Sequence, residues 1–260
     1  MREALWAELL KVRRSRLPWI TALAITIAAL VCGMFMFILA DPARARAFGL
    51  LGGKAQLSGA SADWHGYLTL LAQAAAVGGL GIYGLIAIWL FGREFSDHTA
   101  TDLLALPTSR TALVAAKFTI AAIWTLLLAL LLAGLGLSIG TLLALPGWSA
   151  PTAIDSAARI VATAALTMLT TTPLALAASI GRGYLSAVGV LFALVFAAQV
   201  IAALGYGAVF PWSVPALYAG ITGPDQDPPG PLGLLLVAAT AATGAVSTAA
   251  WWNRADHTRS

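Results

Sequence analysis

An all-α, polytopic membrane protein with about six membrane-spanning helices is the fold that this sequence predicts. Three observations carry the prediction. Hydrophobic residues make up 60% of the 260 residues and charged residues only 10%. The mean hydropathy is +0.86. The apolar residues also gather in runs of roughly the 20 residues that cross a bilayer as a helix. A soluble domain of this size is about 25% charged, so this chain lacks the charge to cover a surface in water, and lipid is the solvent that tolerates it. Residues 1–260 read as one membrane domain.

In chain order, residues 1–16 form an amphipathic helix candidate. On a helical wheel Leu5, Trp6, Leu9, Leu10 and Val12 gather on one side and Glu3, Glu8, Lys11 and Arg14 on the other, while Arg2, Arg13 and Arg16 intrude on the apolar side. An interfacial helix along the inner leaflet is expected. Five basic residues precede a first apolar run too long for a signal peptide, so no cleavable leader is expected. The spans are read at 17–40, 68–91, 118–145, 157–180, 184–208 and 232–252. The third is long enough to tilt or to extend into the cytoplasm, and Pro173 should kink the fourth.

Of the 15 Lys and Arg residues, Arg44, Arg46, Lys54 and Arg159 fall on one side of the six spans and the rest on the other, with the N-terminus. The positive-inside rule then places both termini in the cytoplasm, with the protein in the cell membrane. Segment 205–231 is rich in Gly and Pro and lies on the outer side. It is too apolar for a hydrated loop and is broken by Pro211 and Pro215, so it is expected to be a shallow, partly re-entrant or interfacial piece. The net charge of +4 serves topology, and a nucleic-acid partner is not expected.

Enzymatic chemistry is not expected. Gly52-Gly53-Lys54-Ala55 resembles a phosphate loop only briefly, because Phe48 stands where the first Gly is required and Ala55 where a hydroxyl must hold magnesium. The three histidines and the single Cys32 are scattered, so no metal site is expected. Cys32 reads as a buried apolar residue. No Asp or Glu falls inside the apolar runs, which argues against proton coupling. Gln199 in the fifth run and Thr170, Thr171 and Thr172 in the fourth are polar residues in lipid, candidates for a substrate path or for bonds between helices. Ala75/Gly79, Ala74/Gly78 and Gly136/Gly140 are small-residue pairs at helical spacing, suited to packing within the chain or to a dimer face. Trp89, Trp124, Trp251 and Trp252 are assigned to aromatic belts.

The loop 92–110 holds many of the chain's charges. Ser96 or Asp97 can cap a short helix, Leu103, Leu104 and Leu106 give it an apolar side, Pro107 ends it, and Ser109 can cap the helix that follows. It reads as a docking knob for another protein, with a hydrated loop as the plainer alternative.

In these residues the chain resembles ABC-2-type transporter permeases, specifically the bacitracin-exporter-like branch. The resemblance rests on Glu94-Phe95, Thr99, Leu103-Leu104, Pro107, Ser109-Arg110 and Lys117, with support from the basic N-terminus and the 210–218 segment Phe-Pro-Trp-Ser-Val-Pro-Ala-Leu-Tyr. His98 stands where relatives often carry Gly. The resemblance implies the permease of an ATP-driven exporter. Its P-loop ATPase is a separate subunit that binds ATP and Mg, and a second permease subunit, identical or homologous, completes the assembly. It also implies a coupling helix between spans two and three, with Arg93, Glu94, Phe95, Asp97, Thr99, Asp102, Leu103, Leu104, Pro107 and Arg110 docking the ATPase. An amphiphile such as an antibiotic or peptide would be the substrate. The alternative is an ion-coupled secondary transporter or channel that needs no ATPase.

Overall fold

The computed structural model describes residues 2–49, 61–99, 108–222 and 229–254. Among them the secondary structure is helical, without strands. Helix α1 is Arg2–Arg14, α2 Leu17–Ala40, α3 Pro42–Ala47, α4 Trp64–Ser96 and α5 Arg110–Leu142. Helix α6 is Ala150–Thr170, α7 Thr172–Ile180, α8 Leu185–Ala203, α9 Val214–Tyr218 and α10 Pro231–Arg254. Six elements are long and apolar enough to cross a membrane: α2, α4, α5, α6 with α7, α8 and α10. The polytopic all-α expectation therefore holds. Residues 52–55 lie outside the described residues.

The first run ends where expected; α4 passes both ends of its run, and α5 begins eight residues before its run and ends three short of it. Both are 33 residues long. At 1.5 Å per residue that is about 50 Å, more than a hydrocarbon core of about 30 Å requires. α5 is capped by Ser109, whose side chain accepts a hydrogen bond from the Ala112 amide at 3.3 Å, as the capping pattern predicts. Ser96 and Asp97 act differently from expectation, because they finish α4 rather than start a new helix. The His98 amide donates to the Phe95 carbonyl and the Thr99 amide to that of Glu94. This is the paired closure of a helix C-terminus that needs a left-handed residue, and His98 has φ +56°.

α4 is the axis of the bundle and packs against α2, α5, α6, α7 and α8. Its buried residues Tyr67, Leu71, Ala75, Ile86 and Phe91 are almost fully covered. The small pair Gly136/Gly140 serves packing within the chain. A Cβ on Gly140 would lie 2.6 Å from the Trp64 ring, and one on Gly136 would strike Leu71. Cys32 is buried, as expected. Trp124 and Trp252 depart from the belt assignment, because both lie inside the bundle. The Trp124 indole donates to Thr21 Oγ1 at 3.1 Å and that of Trp252 to Ser179 Oγ at 3.0 Å. A buried indole is held where its N–H finds an acceptor.

The fourth span breaks at Thr171, two residues before Pro173, as the proline predicts. Pro173 has no N–H for the Leu169 carbonyl, and Thr172 Oγ1 donates to that oxygen at 3.0 Å instead. The Leu174 amide turns to Thr171 O, which leaves Thr170 O for the Trp212 indole at 2.9 Å. Trp212 belongs to the segment after α8, a short 3-10 turn Gly207–Val209 followed by α9. That segment folds back onto the bundle. Val214 and Pro215 are buried, and Ser213 Oγ donates to Ala198 O at 3.0 Å. Arg159 donates twice to Tyr218 O and Gln73 once to Gly220 O, which closes the end of α9.

Candidate functional site

α1 and Arg16, with the ends of α4, α5 and α10 that meet near α1, carry most of the basic residues: Arg2, Lys11, Arg13, Arg14, Arg16, Arg93, Arg110, Lys117 and Arg254. Within this end lies a buried cluster of four charges from three helices. Lys117 of α5 points between α1 and α4. Its ammonium donates to Leu90 O at 2.7 Å, Glu94 Oε1 at 3.0 Å and Glu8 Oε2 at 3.2 Å. All three of its hydrogens are thereby satisfied. Lys11 joins the same carboxylates, Glu94 Oε1 at 2.6 Å and Glu8 Oε1 at 2.9 Å. Thr99, just past the end of α4, donates from Oγ1 to Glu94 Oε2 at 2.9 Å.

Two carboxylates thus face two ammoniums and the cluster is formally neutral. Glu8, Glu94 and Lys117 are 1–3% exposed. Charges this deep persist only when paired and hydrogen-bonded. Burial pulls the Lys11 ammonium down, but Glu8 and Glu94 outweigh it and hold its pKa above the ordinary lysine value.

The helical wheel of α1 explains how Glu8 arrives there. Ala4, Glu8 and Lys11 share a face at i, i+4, i+7 spacing, and this face lies against α5. Ala4 packs on Leu113 and Ala116. Of the side read as polar, Glu8 and Lys11 are turned inward while Glu3 and Arg14 stay exposed; of the apolar side, Leu5 and Val12 pack on the core while Trp6 and Leu9 face out, 63% and 40% exposed.

The remaining expected docking residues divide by position. Arg93 Nε donates to Asp97 Oδ2 at 2.9 Å, four residues on, and its guanidinium lies 5.1 Å from the Trp89 ring centre. Asp97 and Thr99 are exposed. Phe95 stacks edge-on against Trp251 and Trp252 of α10, 5.8 Å from each. Arg110 Nη1 donates to Trp252 O at 3.0 Å and Asn253 O at 3.3 Å, so it caps the C-terminus of α10 with a positive charge. Asp102, Leu103, Leu104 and Pro107, and with them the expected coupling helix, lie outside the described residues.

The polar residues proposed for a substrate path are not brought together. Thr170 and Thr171 are buried at the helix break, and their hydroxyls donate to Thr167 O and Met168 O at 2.7 Å. Gln199 lies exposed on α8.

Glu8 and Lys11 are the members that the sequence did not single out as functional. Their spacing of three, on the side of α1 opposite Arg2, Trp6 and Arg13, is the feature that marks them. The cluster is a structural joint, because its carboxylates and ammoniums are bonded to one another. It ties α1, the end of α4 and the start of α5 into one body, while Phe95 and Arg110 attach the end of α10.

Comparison with known proteins adds the family. The model for the ABC-2 family transporter protein matches residues 4–199, which include all four charges of the cluster. Bacitracin transport permease protein BCRB of Bacillus licheniformis is 27% identical over 180 residues, covering 68% of this chain and 85% of that protein. With six helices fit to cross a membrane and a family match over most of its length, the chain belongs to the ABC-2 family of transporter permeases.

Proposed function

We propose that this permease is the membrane subunit of an ATP-driven exporter that moves an amphiphilic substrate, such as an antibiotic or peptide, out of the cell. A separate P-loop ATPase binds ATP and Mg, a second permease subunit completes the pathway, and both termini lie in the cytoplasm of a cell-membrane protein. The name of the bacitracin permease supports the substrate class. The low charge of the spans supports an apolar path.

The observation that carries the proposal is the buried cluster of Glu8, Lys11, Glu94 and Lys117. It sits at the root of the 92–110 loop and joins both helices that flank the loop. A push on the loop by the ATPase would then reach α4, α5 and α1 together. Glu94, being buried, supports the loop from behind. Asp97 and Thr99 are exposed beside it, and Asp102, Leu103 and Leu104 are the further residues assigned to docking the ATPase. Nucleotide on the partner thus biases a two-state permease through a rigid root.

The test is co-purification of the permease with its ATPase. Leu104→Arg should abolish both assembly and permease-dependent stimulation of ATP hydrolysis, with the thermal midpoint of the permease unchanged. Normal assembly of that variant, or full transport without any ATPase, would end the proposal.

A further inference from the structure

The outward face of α1 has an order that its wheel alone obscured. Arg2, Trp6, Leu9 and Arg13 follow at intervals of 4, 3 and 4 residues, and Arg16, three further on, continues the stripe toward α2. This spacing keeps one helical face. All five residues are exposed, and the stripe lies opposite the Ala4, Glu8 and Lys11 face held against α5. The stripe contains no carboxylate. Glu8 is committed to Lys11 and Lys117 inside the protein, and among the described residues Arg2, Arg13 and Arg16 form no ion pair.

The height of this stripe is set by the chain. Only Ser15 and Arg16 separate α1 from α2, the first membrane-crossing helix. Trp19, at the start of α2, is 80% exposed, so each of the two helices that meet at this junction carries an outward indole, Trp6 on α1 and Trp19 on α2. Indoles favour the headgroup layer.

We propose that the Arg2–Trp6–Leu9–Arg13–Arg16 stripe is a binding surface for anionic phospholipid headgroups. Guanidinium groups grip phosphate oxygens in a two-point fork. Exposed Trp6 and Leu9 between them enter the acyl boundary below. An acidic protein surface would match the arginines too, but the bilayer also accounts for Trp19, outward at the start of the adjoining membrane helix. The buried ion cluster fixes which face of α1 is offered to the lipid, so the surface is built before lipid arrives.

The experiment uses the full-length permease in nanodiscs of phosphatidylcholine mixed with phosphatidylglycerol, with retained lipids counted by native mass spectrometry. The wild type should retain phosphatidylglycerol preferentially. Each arginine near an anionic surface is worth about a fivefold change in binding, so R2Q/R13Q/R16Q should lose the preference at least that far at an unchanged thermal midpoint. Removal of Arg182 and Arg254 at the same end should leave it intact. A nitroxide at Leu9→Cys should be buried by phosphatidylglycerol and released by salt. An unchanged preference in the triple variant overturns the assignment. So does a label at position 9 that is protected only when the ATPase is added, whatever the lipid, because the face would then be a protein contact.

Discussion

At Lys117 each ammonium hydrogen has an acceptor inside the protein, so removing any one acceptor leaves a buried charge exposed to a poor solvent. Glu94→Gln should therefore destabilise the permease by about 3–5 kcal/mol, measured by thermal or chemical unfolding in detergent. The double variant Glu94→Gln/Lys117→Gln should lose less than the two single losses added together, because the unpaired charge goes with its partner. Lys11 differs, since its side chain is 27% exposed. Its pKa is raised in the folded state, so its contribution is complete below the unfolded lysine pKa and is lost as pH rises through the folded value. Stability should be flat around neutrality and fall in the alkaline range, and Lys11→Met should remove part of that alkaline fall. His98 offers a gain instead. At φ +56° a Cβ is disfavoured, and His98→Gly should raise stability by about 1 kcal/mol. None of the ion cluster was legible as a cluster in the sequence. Its pairs between helices join residues 23, 83 and 109 positions apart, and helical periodicity ranks Glu8 and Lys11 as a solvated side. Tertiary charge pairing overrode that local reading.

Helices were the most legible feature, because a run of about 20 apolar residues has few other uses. Their ends were less so. α4 continues through Gly92, Arg93 and Glu94 because polar residues support a helix as well as apolar ones do, and hydropathy is silent about where the backbone stops. Ser96 and Asp97 illustrate the same ambiguity, since residues suited to start a helix here stand at the end of one. Proline was more decisive, and the break at Thr171 lies where Pro173 requires it. Close helix packing yields a further prediction. A Cβ on Gly244 of α10 would lie 2.6 Å from Thr172 Oγ1 and 2.7 Å from the Pro173 nitrogen, both part of the α7 start. Gly244→Ala should destabilise by about 1–3 kcal/mol through overpacking. Gly78→Ala, where nothing lies within 4 Å, should be near neutral or slightly stabilising. Unfolding midpoints of the two variants compare them directly.

Across the whole molecule, the two ends of the bundle differ in charge and in how they are held. One end is stitched by the ion cluster, by Arg110 on the last turn of α10 and by Phe95 against Trp251 and Trp252. The other is closed by backbone acceptors, with Arg159 and Gln73 bonded to the carbonyls of Tyr218 and Gly220. If the basic end is cytoplasmic, a cysteine at Ser109 should react with impermeant reagent only from the inside, and one at Trp148 only from the outside. The opposite pattern would invert the topology. α8 is the least enclosed of the spans, with Phe192 and Phe196 about 70% exposed, so it is the helix most dependent on lipid or another subunit for cover.

The indole of Trp212 has a consequence for how this transporter can move. A missing imino hydrogen at Pro173 and a shifted amide at Leu174 leave two vacant acceptors within one membrane helix. A threonine from that helix fills one, and a tryptophan from a distant loop fills the other. The loop is therefore the plug of a defect it did not create. Withdrawing it would leave the buried Thr170 carbonyl without a donor, unless the helix straightens or water follows it in. A movement that lifted this loop would have to replace that donor, which couples the loop to the helix near Thr171.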